Sequence, residues 1–412
     1  MSVQGSCDPR FQSVREEFER NFADRGEVGA AVCVMLDGEP VVDLWGGVAD
    51  PATDAAWVED TPVMVFSSTK GMTSTAAHVL IDRGQIDINA PVARYWPEFA
   101  KAGKENVTVR HLLTHQSGLA TWQEQLGDLD FYNWERVTQL LADQEPFWEP
   151  GTRTGYHALT YGYLVGEVVR RVSGLSLGTF FDQEIAQPLG LDAWIGTPAE
   201  VHPRVAKSTY YVPVPSDLDG PIGDLVKLVT DYPESLPARL QLNNSNWIGV
   251  QENLDTPESY AAEIPAANGI ASARGLATMY APLSRDGSHN GVRLVRPESL
   301  AALRHVQSRS SVDASVPIIT TSFSLGYMKG WDNRIVGPGA SIIWGEDAFG
   351  HAGLGGSVGF ADPSLKLAFA YVMNQHGPGT GINERGQSLV DATYRVLGSS
   401  TDEPGFWVRP TH

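Results

Sequence analysis

Ser67 and Lys70 stand three residues apart in Ser67-Ser68-Thr69-Lys70, directly after the short β-rich run at residues 63–66. A helix beginning here puts both side chains on one face, so the lysine amine reaches the serine hydroxyl. A serine hydroxyl is a weak nucleophile until a neighbouring base takes its proton. Lysine fills that role only when its pKa falls from about 10.4 to about 7, a differential interaction of about 4 to 5 kcal/mol. Burial and the positive end of a helix both push it that way. The pair therefore predicts covalent catalysis through Ser67 with Lys70 as base. The competing reading is that Ser67 merely caps a helix, as serine commonly does.

The elements that must hold this pair can be read around it. Residues 67–82 form the helix, closed by Arg83-Gly84, where glycine suits the left-handed position after the last turn. Residues 10–24 carry Phe11, Val14, Phe18 and Phe22 at spacings of three and four, the stripe of an amphipathic helix. Residues 28–36 and 40–45 are strands joined by Asp37-Gly38, a tight-hairpin signal. Residues 160–172 form another helix, closed by Ser173-Gly174. Residues 210–265 hold many prolines with little periodicity and read as long loops. Strands return at 318–327, 356–361 and 365–373, and a helix at about 387–396 follows. The expected fold class is α/β in the α+β sense: one antiparallel sheet built from both termini, flanked by helices, with an inserted mainly helical region. The expected domains are 1–60 with 290–412, and 61–289.

Composition narrows the chemistry. The chain has 412 residues, 42% hydrophobic and 19% charged, enough for a sizeable core and a pocket. Its 49 acidic and 30 basic residues give a net charge of −19, with the basic ones scattered. That excludes a phosphate-binding stripe, so nucleic acid is not an expected partner, and it disfavours strongly anionic substrates. The two cysteines make no disulfide framework, and Cys33 in the apolar run 30–36 reads as a buried small hydrophobe. The first residues show no secretory signal and no apolar stretch is long enough to cross a bilayer, so the expected location is cytoplasmic. No cofactor is expected, and the oligomeric state is not legible.

Four motifs, in order, resemble the serine β-lactamase and penicillin-binding-protein superfamily, and more closely the family VIII carboxylesterases that share the class C β-lactamase fold. They are Phe66-Ser67-Ser68-Thr69-Lys70-Gly71, His111-Leu112-Leu113-Thr114-His115-Gln116-Ser117-Gly118-Leu119, Pro150-Gly151-Thr152-Arg153-Thr154-Gly155-Tyr156, and Gly350-His351-Ala352-Gly353-Leu354-Gly355-Gly356-Ser357. The resemblance spans residues 28–374. It implies a catalytic set of Ser67, Lys70 and Tyr156, with the phenol relaying protons to the leaving group. It also implies an oxyanion hole made by the backbone N–H groups of Ser67 and of Leu354, the latter on a strand beside the nucleophile.

Departures from the family pattern bear on substrate. The position two residues after the tyrosine, where the family's amide-binding Asn stands, is Ala158. The Lys-Thr-Gly triplet that binds a substrate carboxylate reads His351-Ala352-Gly353, so an always-charged anchor becomes a weakly basic imidazole. Ala158, His351 and Gly353 are thus the expected substrate-contacting positions, and the expected substrate is a small neutral ester; an amide hydrolase or acyltransferase with the same trio is the alternative.

Three further signals compete. Gly355-Gly356-Ser357-Val358-Gly359 matches a nucleophile elbow, but a strand follows it where the elbow requires a helix. His111 and His115 stand four apart like metal ligands, yet no Glu follows His111 and no third ligand is evident, so both read as structural and no metal is expected. Trp122, Phe131, Tyr132 and Trp134 form an aromatic patch that reads as inward packing, with an acyl-pocket lining as the alternative.

Overall fold

Asp37 and Gly38 both take positive φ, 51° and 89°, the geometry a two-residue hairpin needs to match strand twist. They join β2 (Gly29–Leu36) to β3 (Glu39–Asp50) in the computed structural model, which describes residues 2–402 and 405–409. Five more strands complete an antiparallel sheet: β1 (Gln4–Cys7), β4 (Ala55–Ala56), β5 (Phe349–Ala352), β6 (Val358–Asp362) and β7 (Leu367–Met373). The order is β1-β3-β2-β7-β6-β5, with β4 beside β3. The two ends of the chain meet at the centre, where Cys33 lies opposite Ala370 and Val34 opposite Phe369. β1 was not expected from its polar sequence; it pairs with β3 as an exposed edge strand.

Alternation along β2 separates two cores. Ala30, Val32 and Val34 face the helices Gln12–Asp24 and Glu384–Val396, packing with Val14, Phe18, Leu389 and Val390. Ala31, Cys33 and Met35 face the helix Ala273–Leu283 and, beyond it, the helix Thr69–Asp82 that carries Lys70. Cys7 and Cys33 are both free. We propose that the chain divides as the sequence suggests, 1–60 with 290–412 against 61–289, the helix Ala273–Leu283 of the second part packing on the sheet of the first.

Two expectations are corrected. Residues 210–265 are not mainly loop: helices span Pro221–Asp231, Leu236–Ser245, Gln251–Leu254 and Pro257–Ala261. Three of these helices carry proline in their first two positions, where its missing N–H leaves no intrahelical bond unmade, so these prolines start helices instead of marking loops. Residues 318–327 are not one strand. Only Thr321–Phe323 pairs, with Ser308–Ser310, because the chain turns at Gly326, which has φ 88°. Among the described residues, no helix is long and apolar enough to cross a membrane.

Candidate active site

The strand Val63–Met64 delivers the chain to Phe66, which takes φ 45°, and a 3-10 turn over Phe66–Ser68 precedes the α-helix from Thr69. Side chains anchor this junction on both sides. Thr69 Oγ1 donates to the Phe66 carbonyl and accepts from Gly269 N–H at 2.8 Å, and Ser68 Oγ donates to the His351 carbonyl at 3.2 Å. Ser67 is left half-buried at the surface of the junction.

Lys70 is fully buried. Its Nζ lies 3.1 Å from Ser67 Oγ, 2.7 Å from the Ala158 carbonyl and 2.9 Å from the Ala266 carbonyl. Burial holds its pKa well below the usual lysine range. A neutral amine has two N–H groups and one lone pair; with both N–H groups donated to the carbonyls, the lone pair is left for the Ser67 hydroxyl. Neither carbonyl was marked by the sequence, since a backbone acceptor carries no residue signature. Ala158, expected at the substrate, contributes its carbonyl to Lys70 while its side chain stays half-buried.

Tyr156 joins this pair. Lys70 Nζ stands 4.9 Å from its ring centroid. The ring is parallel to Phe323 at 6.2 Å and packs near His115 at 5.4 Å and His351 at 6.3 Å. Burial raises the phenol's pKa, a hydrogen bond with the Ser67 side chain lowers it, and the Asp313 charge raises it again. Asp313, absent from the sequence reading, accepts the Tyr156 N–H.

The turn after β5 closes the other side. Leu354 lies in a 3-10 turn, Leu354–Gly356, and not on a strand as expected, because Gly355 bends the chain at φ 82°. Gly353 has no room for a side chain: a Cβ there would meet the Val65 carbonyl and Ser357 Oγ, and stand 3.1 Å from Ser67 N. Among the described residues, neither Ser67 N–H nor Leu354 N–H has a backbone acceptor.

His351 is buried and neutral: burial first, then the nearby Lys70, holds its pKa well below the usual range. Its Nδ1 donates to the Ala352 carbonyl at 2.7 Å, which leaves Nε2 as an acceptor without a partner among the described residues. The imidazole thus offers no charged anchor for a carboxylate.

The competing signals resolve as structure. Ser357 Oγ is fully buried, donating to the Val65 carbonyl at 2.7 Å. His111 Nδ1 accepts from Thr108 N–H and His115 Nδ1 from His157 N–H. His157, held to about pKa 4 by burial, bridges Ser117 and Gly155. The aromatic patch packs inward, with Trp122 and Phe131 buried and Trp134 bonded to Glu167.

A family model described as Beta-lactamase matches residues 14–393. The chain belongs to the β-lactamase family. It is 37% identical over 390 residues to the esterase/β-lactamase LipL of Mycobacterium tuberculosis (strain ATCC 25618 / H37Rv), covering 90% of this chain and 83% of that one. A crystal structure of a family VIII carboxylesterase superposes with a TM-score of 0.83 at 37% identity, covering 96% of this chain and all of the other. A penicillin-binding-protein homologue from Caulobacter crescentus gives 0.80 at 34% identity, over 96% of this chain and all of that one. As a family member of this type, the chain is a serine hydrolase with the serine β-lactamase fold.

Proposed function

We propose that the enzyme hydrolyses small neutral carboxylic esters through an acyl-Ser67 intermediate. The observation that carries this reading is the Lys70 amine, buried with no carboxylate partner among the described residues, 3.1 Å from Ser67 Oγ and bonded to two carbonyls. The Ser67 hydroxyl passes its proton to Lys70 as Oγ bonds to the ester carbonyl carbon. The resulting oxyanion lies against the N–H groups of Ser67 and Leu354, an arrangement typically worth about 3 to 4 kcal/mol in the transition state. When the bond to the alcohol oxygen breaks, Tyr156 gives that oxygen its proton and recovers one from Lys70. Water then attacks the acyl carbonyl, and the same groups return a proton to Ser67 Oγ.

Preference for a neutral ester rests on Ala158 and His351. No side-chain amide stands at position 158, and the imidazole at 351 is uncharged. The family VIII carboxylesterase supports an ester substrate, while LipL is named as both esterase and β-lactamase. Purified enzyme should therefore cleave short p-nitrophenyl esters far faster than nitrocefin. The opposite ranking overturns the ester assignment and favours the amide-hydrolase alternative.

A further inference from the structure

Asp313 is a fully buried carboxylate with no cation at salt-bridge distance among the described residues. An isolated buried charge is costly, so its partners must stabilise it by hydrogen bonding. Oδ1 accepts from the N–H groups of Tyr156 at 3.0 Å, Ser315 at 2.9 Å and Val316 at 3.0 Å. Oδ2 accepts from Tyr156 N–H at 3.0 Å and from Thr321 Oγ1 at 2.8 Å. Burial raises the pKa of this carboxyl and the bonds from Tyr156, Thr321, Ser315 and Val316 lower it; three backbone donors against two oxygens suit the ionised form, which only accepts.

Two of these contacts are turns within the 313–316 segment. The other two reach elsewhere, and both lead to Tyr156. The first is the Tyr156 N–H itself, 157 residues away in sequence. The second is Thr321, which opens the strand Thr321–Phe323, whose Phe323 ring lies parallel to that of Tyr156. A neighbouring bond, Ala314 N–H to the Thr154 carbonyl at 3.0 Å, fixes the segment on the other side of Gly155. One carboxylate thus holds the backbone of Tyr156 and the strand that supports its ring.

We infer that Asp313 is a positioning residue for Tyr156, clamping its backbone so that the phenol faces the departing oxygen and not bulk water. This rests on the assignment of Tyr156 as proton donor. The charge also acts through space: with Lys70, His115 and His351 as the other titratable groups around the ring, Asp313 is the one that favours the protonated phenol. Ser67 and Lys70 do not touch Asp313, so acylation chemistry that needs no proton donor is left intact.

The test compares two esters of one acid, a p-nitrophenyl ester, whose alcohol leaves as a stable anion, and an ethyl ester, whose alkoxide needs a proton. Asp313→Asn should lower kcat/KM, which reads the acylation step alone, on the ethyl ester by about 10- to 100-fold while the p-nitrophenyl ester loses less than about threefold. Tyr156→Phe should show the same selectivity, and the double variant should be no worse than Tyr156→Phe alone. Should Asp313→Asn fail to fold, Thr321→Val removes one of the same bonds and should give a smaller loss of the same selectivity. Equal losses on both esters, or no loss on either, overturn the role of Asp313. If Tyr156→Phe is itself unselective, the proton-donor assignment falls, and this inference with it; if Tyr156→Phe is selective and Asp313→Asn is not, only the inference falls.

Discussion

Lys70 Nζ sits beneath the Tyr156 ring, 4.9 Å from its centroid, while burial acts on the two side chains in opposite directions, lowering the amine's pKa and raising the phenol's. The two groups are thereby separated into a neutral base and a protonated acid across the same pH range. Rate should rise with pH as Lys70 loses its proton, through a single ionisation lying below the ordinary lysine range, and should then stay level, because the phenol remains protonated. His115, His157 and His351 are all held neutral by burial and should add no second ionisation near neutral pH. A pH profile of kcat/KM checks this; a fall in rate between pH 8 and pH 10 contradicts it.

Ser357 sits in an elbow-like motif, yet its hydroxyl serves the Val65 carbonyl just ahead of the nucleophile turn. Ser357→Ala should keep fluorophosphonate labelling and lose about 0.5 to 1.5 kcal/mol of stability, the worth of one net hydrogen bond, since the Val65 carbonyl still accepts from Ser68 N–H. Urea unfolding with a labelling assay separates the two effects.

At Ala158 the side chain is half-buried beside the carbonyl that holds Lys70. Ala158→Asn should restore a donor for an acyl-side amide and raise the ratio of nitrocefin to ester turnover by about fivefold, the worth of about 1 kcal/mol for one net hydrogen bond. Steady-state kinetics on both substrates read this ratio.

Gly71 lies in the helix next to Lys70, where alanine would ordinarily favour helix by about 1 kcal/mol. Here a Cβ would collide with the Tyr280 hydroxyl, which has no hydrogen-bond partner among the described residues. Gly71→Ala should therefore destabilise by about 1 to 3 kcal/mol, and adding Tyr280→Phe should recover most of it. Thermal unfolding of the two single variants and the double variant checks the cycle.

What the sequence displayed was chemistry carried by side chains at short range. Ser67 with Lys70, the Asp37-Gly38 hairpin and the closure of the helix Thr160–Ser173 at left-handed Gly174 all follow from residue type within a few positions. What it concealed were backbone partners and distant contacts. The Ala158 and Ala266 carbonyls have no residue signature, and Asp313 meets Tyr156 only through the fold. The helices between 221 and 261 escaped for another reason: three of the four carry proline in their first two positions, which in sequence reads as loop punctuation.

The central claim is that Ser67 becomes acylated. Intact mass of the enzyme quenched within its first turnover of a p-nitrophenyl ester, followed by peptide mapping, tests it most directly. One acyl adduct is expected on the peptide bearing Ser67, absent in Ser67→Ala and retained in Ser357→Ala. An adduct on Ser357, or ester turnover undiminished in Ser67→Ala, would contradict it.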